Sequence, residues 1–108
     1  MRVKRITYNT IKSGRKTIEV RVGRGSTNGL QAGERVRLIT YSRSFNVRVV
    51  GIRRYSTFAE MLDFEPWEKI ALSSESKDRM LSLLRQIYPP HKERLGVVAI
   101  EFARVYQQ

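Results

Sequence analysis

Three stretches of the chain alternate apolar and polar residues with a period of two, the signature of half-buried strands, and a fourth is an apolar run of strand length. Over 17–22, Ile18, Val20 and Val22 fall on one face, and Thr17, Glu19 and Arg21 on the other. Over 35–41, Val36 and Leu38 oppose Arg35 and Arg37. The stretch 45–55 is longer, and its apolar parity changes between Val49 and Val50, which predicts a bulge or burial on both faces. A last strand over 96–104 should bury Val98, Ile100 and Phe102. Helical spacing appears over 76–88, where Met80, Leu83, Leu84 and Ile87 form one apolar stripe ended by Pro89 and Pro90. Thr57-Phe58-Ala59-Glu60 has capping-box form and should start a short helix that turns Phe58, Met61 and Leu62 inward. Pro66 fits the first turn of another, with Trp67, Ile70 and Ala71. Residues 7–13 suit one or two helical turns closed by Gly14. The pattern is a β-rich core with helices inserted before the final strand, an α+β arrangement. A small mixed β-barrel flanked by short helices is the economical way to close so few short strands.

Composition narrows the function. At 108 residues, a single domain (1–108) with one modest core is expected. With no cysteine and one histidine, there is no disulfide framework, no thiol nucleophile and no Cys- or His-rich metal site, and no metal or cofactor is expected. His91, after two prolines, reads as an exposed loop residue. No apolar run is long enough for a membrane span, and no apolar segment follows the basic N-terminus, so a soluble, cytoplasmic protein is expected, with no membrane partner. Nothing in the sequence calls for an oligomer, and a monomer is the expectation.

Charge changes the picture more. The formal net charge is +11, with 14 Lys+Arg against 2 Asp+Glu in residues 1–56 and 7 against 8 thereafter. Arginine outnumbers lysine, 15 to 6. Guanidinium forks match phosphate oxygens and stack on flat rings, so a segregated arginine-rich half points to a polyanion, RNA above all.

The candidate chemistry lies in G-R-K-T-I-E-V-R, residues 14–21. Lys16 would be a general base if burial lowered its pKa, or a cation for a phosphate or carbonyl oxygen. Glu19 can accept hydrogen bonds from a base's amino edge or shuttle a proton, and equally can serve a salt bridge to Arg21 or Lys16. Arg21 suits a carboxylate or phosphate. Arginine and aromatic residues interleave in Y-S-R-S-F and R-R-Y-S-T-F, making Tyr41, Arg53, Arg54 and Tyr55 candidates for a cleft wall, with Ser56 as a possible hydrogen-bonding neighbour. Phe45, Phe58 and Trp67 read as packed. The glycine-rich 23–33 lacks the Gly-Lys-Ser/Thr of a phosphate loop and leads to a strand; it would form a rim, with Arg24 reaching toward phosphate.

These segments resemble a known family. G-R-K-T-I-E-V-R is similar to the G-x-K-x-x-E-x-R signature of ASCH domains, in the PUA-like superfamily. A-G-E-R-V-R-L resembles that family's next strand, V-V-G-I-R-R-Y-S-T-F-A-E-M-L its strand-plus-helix block, and L-G-V-V-A-I-E-F its closing strand. The resemblance implies a PUA-like barrel with a cleft beside the signature and an RNA-related function. Some small ASCH proteins hydrolyse the acetyl amide of N4-acetylcytidine. That branch resembles this chain at Lys16 but carries a catalytic threonine where Glu19 stands. Its glutamate before the long helix falls on Ser73 here, with Glu75 the nearest carboxylate. Other members are reported as ribonucleases. The expectation is therefore an RNA- or nucleotide-binding domain that accepts a single-stranded segment or modified base. The alternative is a hydrolase of acylated nucleosides, or a ribonuclease, with Lys16 and Glu19 as the acid–base pair.

Overall fold

The structure is a computed structural model that describes residues 1–23, 25, 29–70 and 76–105. Its elements follow the sequence pattern closely. Helix α1 is Arg5–Lys12, and Gly14 (φ 81°) closes it by donating its N–H to the Ile11 carbonyl at 3.0 Å. A side chain would be strained at that φ, which is why glycine stands there. Strands β1 (Ile18–Val22), β2 (Arg35–Thr40) and β3 (Arg43–Tyr55) precede helix α2 (Phe58–Phe64). A single 3-10 turn, Trp67–Lys69, stands where Pro66 suggested a longer helix; Ala71 lies outside the described residues. Then come α3 (Lys77–Ile87), the one-turn α4 (Pro90–Glu93) and β4 (Val97–Arg104).

The four strands form one antiparallel sheet in the order β1-β4-β3-β2. The expected barrel takes the form of a curled half-barrel flanked by short helices. A parallel bridge between Arg2 and Ile39 lays the N-terminus beside β2. The parity change in β3 is a bulge, with Val50 the extra residue between Val49, opposite Phe102, and Gly51, opposite Glu101.

Both faces of the sheet are covered, and β4 shows it best. The sequence pattern assigned only Val98, Ile100 and Phe102 to the core, yet Val97 and Ala99 are buried too. Val97 and Ala99 pack with Ile18, Val20, Phe58, Met61, Met80 and Leu84 beneath α2 and α3. Val98, Ile100 and Phe102 pack on the opposite face with Ile11, Leu38, Val47 and Val49. A central strand covered on both faces loses its polar alternation.

The cap on α2 falls where the sequence puts it. The Thr57 hydroxyl accepts from the Glu60 N–H at 3.0 Å, although the Glu60 carboxylate returns to the Ser56 N–H at 3.4 Å rather than to Thr57. Ser76 caps α3 the same way through Arg79 at 3.1 Å. Two packing expectations change. Ile87 is exposed at the C-terminal end of α3, although Leu84 one turn earlier is buried. Phe45 is half-buried, its ring edge-on to Tyr8 at 4.9 Å, where it pairs with Leu38 close to the β2–β3 turn. His91 is exposed on α4.

Candidate functional site

β1 is an edge strand of the sheet, and its edge is where the signature residues meet. The Phe102 N–H donates to the Thr17 carbonyl and the Gly23 N–H to the Gly96 carbonyl, so in the antiparallel alternation the carbonyls of Ile18 and Val20 point away from β4. Such free carbonyls need partners. Lys16 Nζ donates to the Ile18 carbonyl at 2.7 Å and the Tyr88 hydroxyl to the Val20 carbonyl at 3.3 Å. Lys16 Nζ also donates to the Ile70 carbonyl at 2.6 Å, which ties β1 to the segment after the 3-10 turn. Its remaining proton faces Glu19 Oε1 at 3.4 Å. Lys16 is 8% exposed. Burial draws its pKa below the usual lysine value and Arg21 adds to the effect, while the Glu19 charge works the other way.

Glu19 and Arg21 share the face of Ile100 and Val98, with Glu19 Oε2 3.7 Å from Arg21 Nη2. They open into a cleft of about 350 Å³ whose other walls are Arg2, Val3, Lys4, Thr7 and Tyr88. That volume lies in the range of small-ligand sites. Burial raises the Tyr88 pKa and the Glu19 charge raises it further, so its hydroxyl stays a donor. The structure therefore joins Lys16, Glu19 and Arg21 in one cluster.

The other candidates are distributed around the molecule. Arg54 stands opposite Val98, which stands opposite Arg21, so the two arginines share a face roughly 10 Å apart across three strands. Arg53 and Tyr55 lie on the other face, packed toward α2, where both grip Glu65. Arg53 Nε and Nη2 reach Glu65 at 2.5 and 2.8 Å, Nη2 reaches Glu101 at 2.8 Å, and the Tyr55 hydroxyl donates to Glu65. The Tyr55 pKa is pushed up to about 12, by burial first and then by Glu65. Ser56 is exposed and serves the α2 start through its N–H. Tyr41 lies at the β2–β3 turn with Arg5, away from the Lys16 cluster. Arg24, Ser73 and Glu75 lie outside the described residues.

Sequence reasoning passed over Arg2, Lys4 and Thr7 as an N-terminal tail and α1, and Tyr88 as a helix end. The alternation in M-R-V-K was the available signal for the first pair, since it places Arg2 and Lys4 two apart. Nothing local marked Tyr88, whose partner Val20 is 68 residues away. Among the described residues no cluster of His, Cys, Asp or Glu could hold a metal ion, and no helix is long and apolar enough to cross a membrane.

The ASCH domain family matches residues 1–105, and the chain belongs to that family. Its fold is similar to the crystal structure of the hypothetical protein PH0355, with 31% identity, a TM-score of 0.78, and coverage of 97% of this chain and 100% of that one. It is similar also to the solution NMR structure of protein PF0455 from Pyrococcus furiosus, with 28% identity, a TM-score of 0.73, and coverage of 99% and 100%. No curated protein matches the chain.

Proposed function

We propose that the cleft beside β1 binds a nucleotide of single-stranded RNA, including a modified base. The observation that carries the reading is its lining: three cations, Arg2, Lys4 and Arg21, surround the single carboxylate Glu19. The cations suit phosphate oxygens, and the Glu19 oxygens suit an exocyclic amino group. Membership of the ASCH family and the +12 balance of residues 1–56 support the same partner. If the three cations each displace a counterion, the logarithm of affinity falls with that of salt at a slope of roughly −2. Fluorescence anisotropy with a labelled single-stranded RNA tests this. Arg21→Ala should weaken binding and flatten the slope. No binding at low salt, or binding unchanged in Arg21→Ala, would sink the proposal.

A second reading, hydrolysis of an acylated nucleoside or of RNA, draws on the lowered Lys16 pKa and its 3.4 Å approach to Glu19. With two Nζ protons committed to the Ile18 and Ile70 carbonyls, only the third is available for transfer, and Glu19 is its acceptor. Incubation with N4-acetylcytidine and with RNA, alongside Lys16→Ala, decides it. Activity that survives in Lys16→Ala excludes the pair as the catalyst.

A further inference from the structure

The β2–β3 hairpin turns through two residues, Tyr41 and Ser42, between the paired Thr40 and Arg43. Two-residue hairpin turns need positive φ, which glycine or asparagine usually supplies. Here the positive φ, 50°, falls on Tyr41. A bulky residue in that region is a backbone outlier, and such outliers gather at binding and switch sites. Nothing in the core accounts for it, because Tyr41 is 76% exposed. The Arg5 guanidinium lies over its ring, 5.1 Å from the centroid. The pair borders a second cleft of about 480 Å³, completed by Asn9, Thr40, Ser42 and Arg43. No carboxylate lines it, and among the described residues neither Arg5 nor Arg43 forms an ion pair.

We infer that this turn is a second nucleotide site, in which an unpaired base stacks on the Tyr41 ring while Arg5 and Arg43 hold the adjoining phosphate. An exposed aromatic with a guanidinium already stacked on it accepts any base by its flat face, and flanking arginines supply the backbone contacts. Asn9, Thr40 and Ser42 bring the amide and hydroxyl groups that hydrogen-bond a base edge or a ribose. Helix α1 separates this site from the first cleft. Thr7 lines one, whereas Arg5 and Asn9, four apart and so on one helix face, line the other. The inference shares the RNA partner of the proposed function but stands on separate residues.

The test is a titration of the 15N-labelled protein with AMP and with a single-stranded adenylate pentanucleotide, followed by amide shifts, with inorganic phosphate in parallel. The site should appear as saturating shifts at Asn9, Tyr41 and Ser42 that phosphate alone does not reproduce. Tyr41→Asn keeps a residue at ease with positive φ and removes the ring. It should raise the dissociation constant read at those amides at least fivefold, whereas Tyr41→Phe should leave it within twofold. Shifts at Thr7, Glu19 and Arg21 should be untouched by either change. Amides at the turn that stay still, that move equally with phosphate, or that respond identically in Tyr41→Asn would overturn the inference. Shifts confined to Thr7, Glu19 and Arg21 would do so while leaving the first cleft's reading intact; shifts confined to the turn would uphold the inference and remove that reading instead.

Discussion

Lys16→Met is the most informative substitution, because the structure gives the lysine a mechanical task that is separable from any chemistry. Methionine keeps the length and apolar stem but removes the ammonium. The Ile18 and Ile70 carbonyls then lose their donors, at 2.7 and 2.6 Å, in a place that is 8% exposed. Leaving a buried acceptor unsatisfied costs about 1–3 kcal/mol, so the two together cost roughly 2–6 kcal/mol. The pairing with Glu19 at 3.4 Å, between two largely buried side chains, adds to this, eased because Glu19 keeps Arg21 at 3.7 Å. Against this, the variant no longer buries a charge, whose penalty is visible in the lowered Lys16 pKa. The expected net loss is about 2–4 kcal/mol, whereas an ordinary surface lysine would change stability by less than about 0.5 kcal/mol. Urea unfolding followed by Trp67 fluorescence reads it. With a slope of about 1–2 kcal/mol per molar for a small protein, the midpoint should fall by roughly 1–4 M. Glu19→Gln, which spares both carbonyl contacts, should lower it far less. A Lys16→Met midpoint equal to that of Glu19→Gln would refute the reasoning, and loss of activity in a lysine variant could then be assigned to chemistry rather than to a loosened β1 edge.

Other expectations follow from the same contacts. Burial pushes the Glu65 carboxyl up, but the Arg53 and Tyr55 hydrogen bonds outweigh it and leave the pKa below 4.5. Its contribution is therefore present above pH 4.5 and lost as pH falls through the lower folded value; Glu65→Gln should flatten that acid limb in urea midpoints taken from pH 6 to 3. Tyr55 is the alkaline counterpart: its folded pKa of about 12 exceeds the ordinary 10.0, so stability should decline between those values, and Tyr55→Phe should make the decline shallower. A Cβ at Gly51 would meet Arg53 Nη1 at 2.8 Å and push the guanidinium off Glu65 and Glu101. Gly51→Ala should cost about 1 kcal/mol in the wild type and little once Arg53 is alanine, a coupling that a double-mutant cycle measures. Thr57→Ala should cost about 1 kcal/mol through the lost cap on Glu60, read by thermal unfolding.

Most elements were legible because their signals are local. The period-two runs, the Thr57 cap and the Pro89-Pro90 stop each involve residues within a few positions of one another. Even the bulge at Val50 announced itself as a break in parity. What escaped was set by tertiary burial. β4 carries two interleaved apolar faces, and a period-two reading selects only one of them. Ile87 continues the α3 stripe in sequence, yet it stands exposed while Met80 and Leu84 are buried. Arg53 and Tyr55 sat in a suggestive motif, yet their partners, Glu65 and Glu101, lie 10 to 48 residues away, and no spacing rule connects them.

The same limit shaped the reading of the site, and the edge of β1 explains why. Alternation alone placed Glu19 and Arg21 on one face and left Lys16 as their neighbour, which made all three look like one set of reacting groups. The edge geometry separates them. Lys16 and Tyr88 satisfy the outward carbonyls of Ile18 and Val20, so that these acceptors are already taken on the edge of β1 beside which the described residues place no other strand. Glu19 and Arg21, whose backbone bonds go to β4, turn their side chains into the cleft instead. A strand capped in this way holds its side chains at fixed spacing without a neighbouring strand to hide them, and that combination leaves a charged face both rigid and open. Lys16 thus contributes to the cleft first through the position it gives Glu19, and any proton it transfers must pass through that same 3.4 Å contact.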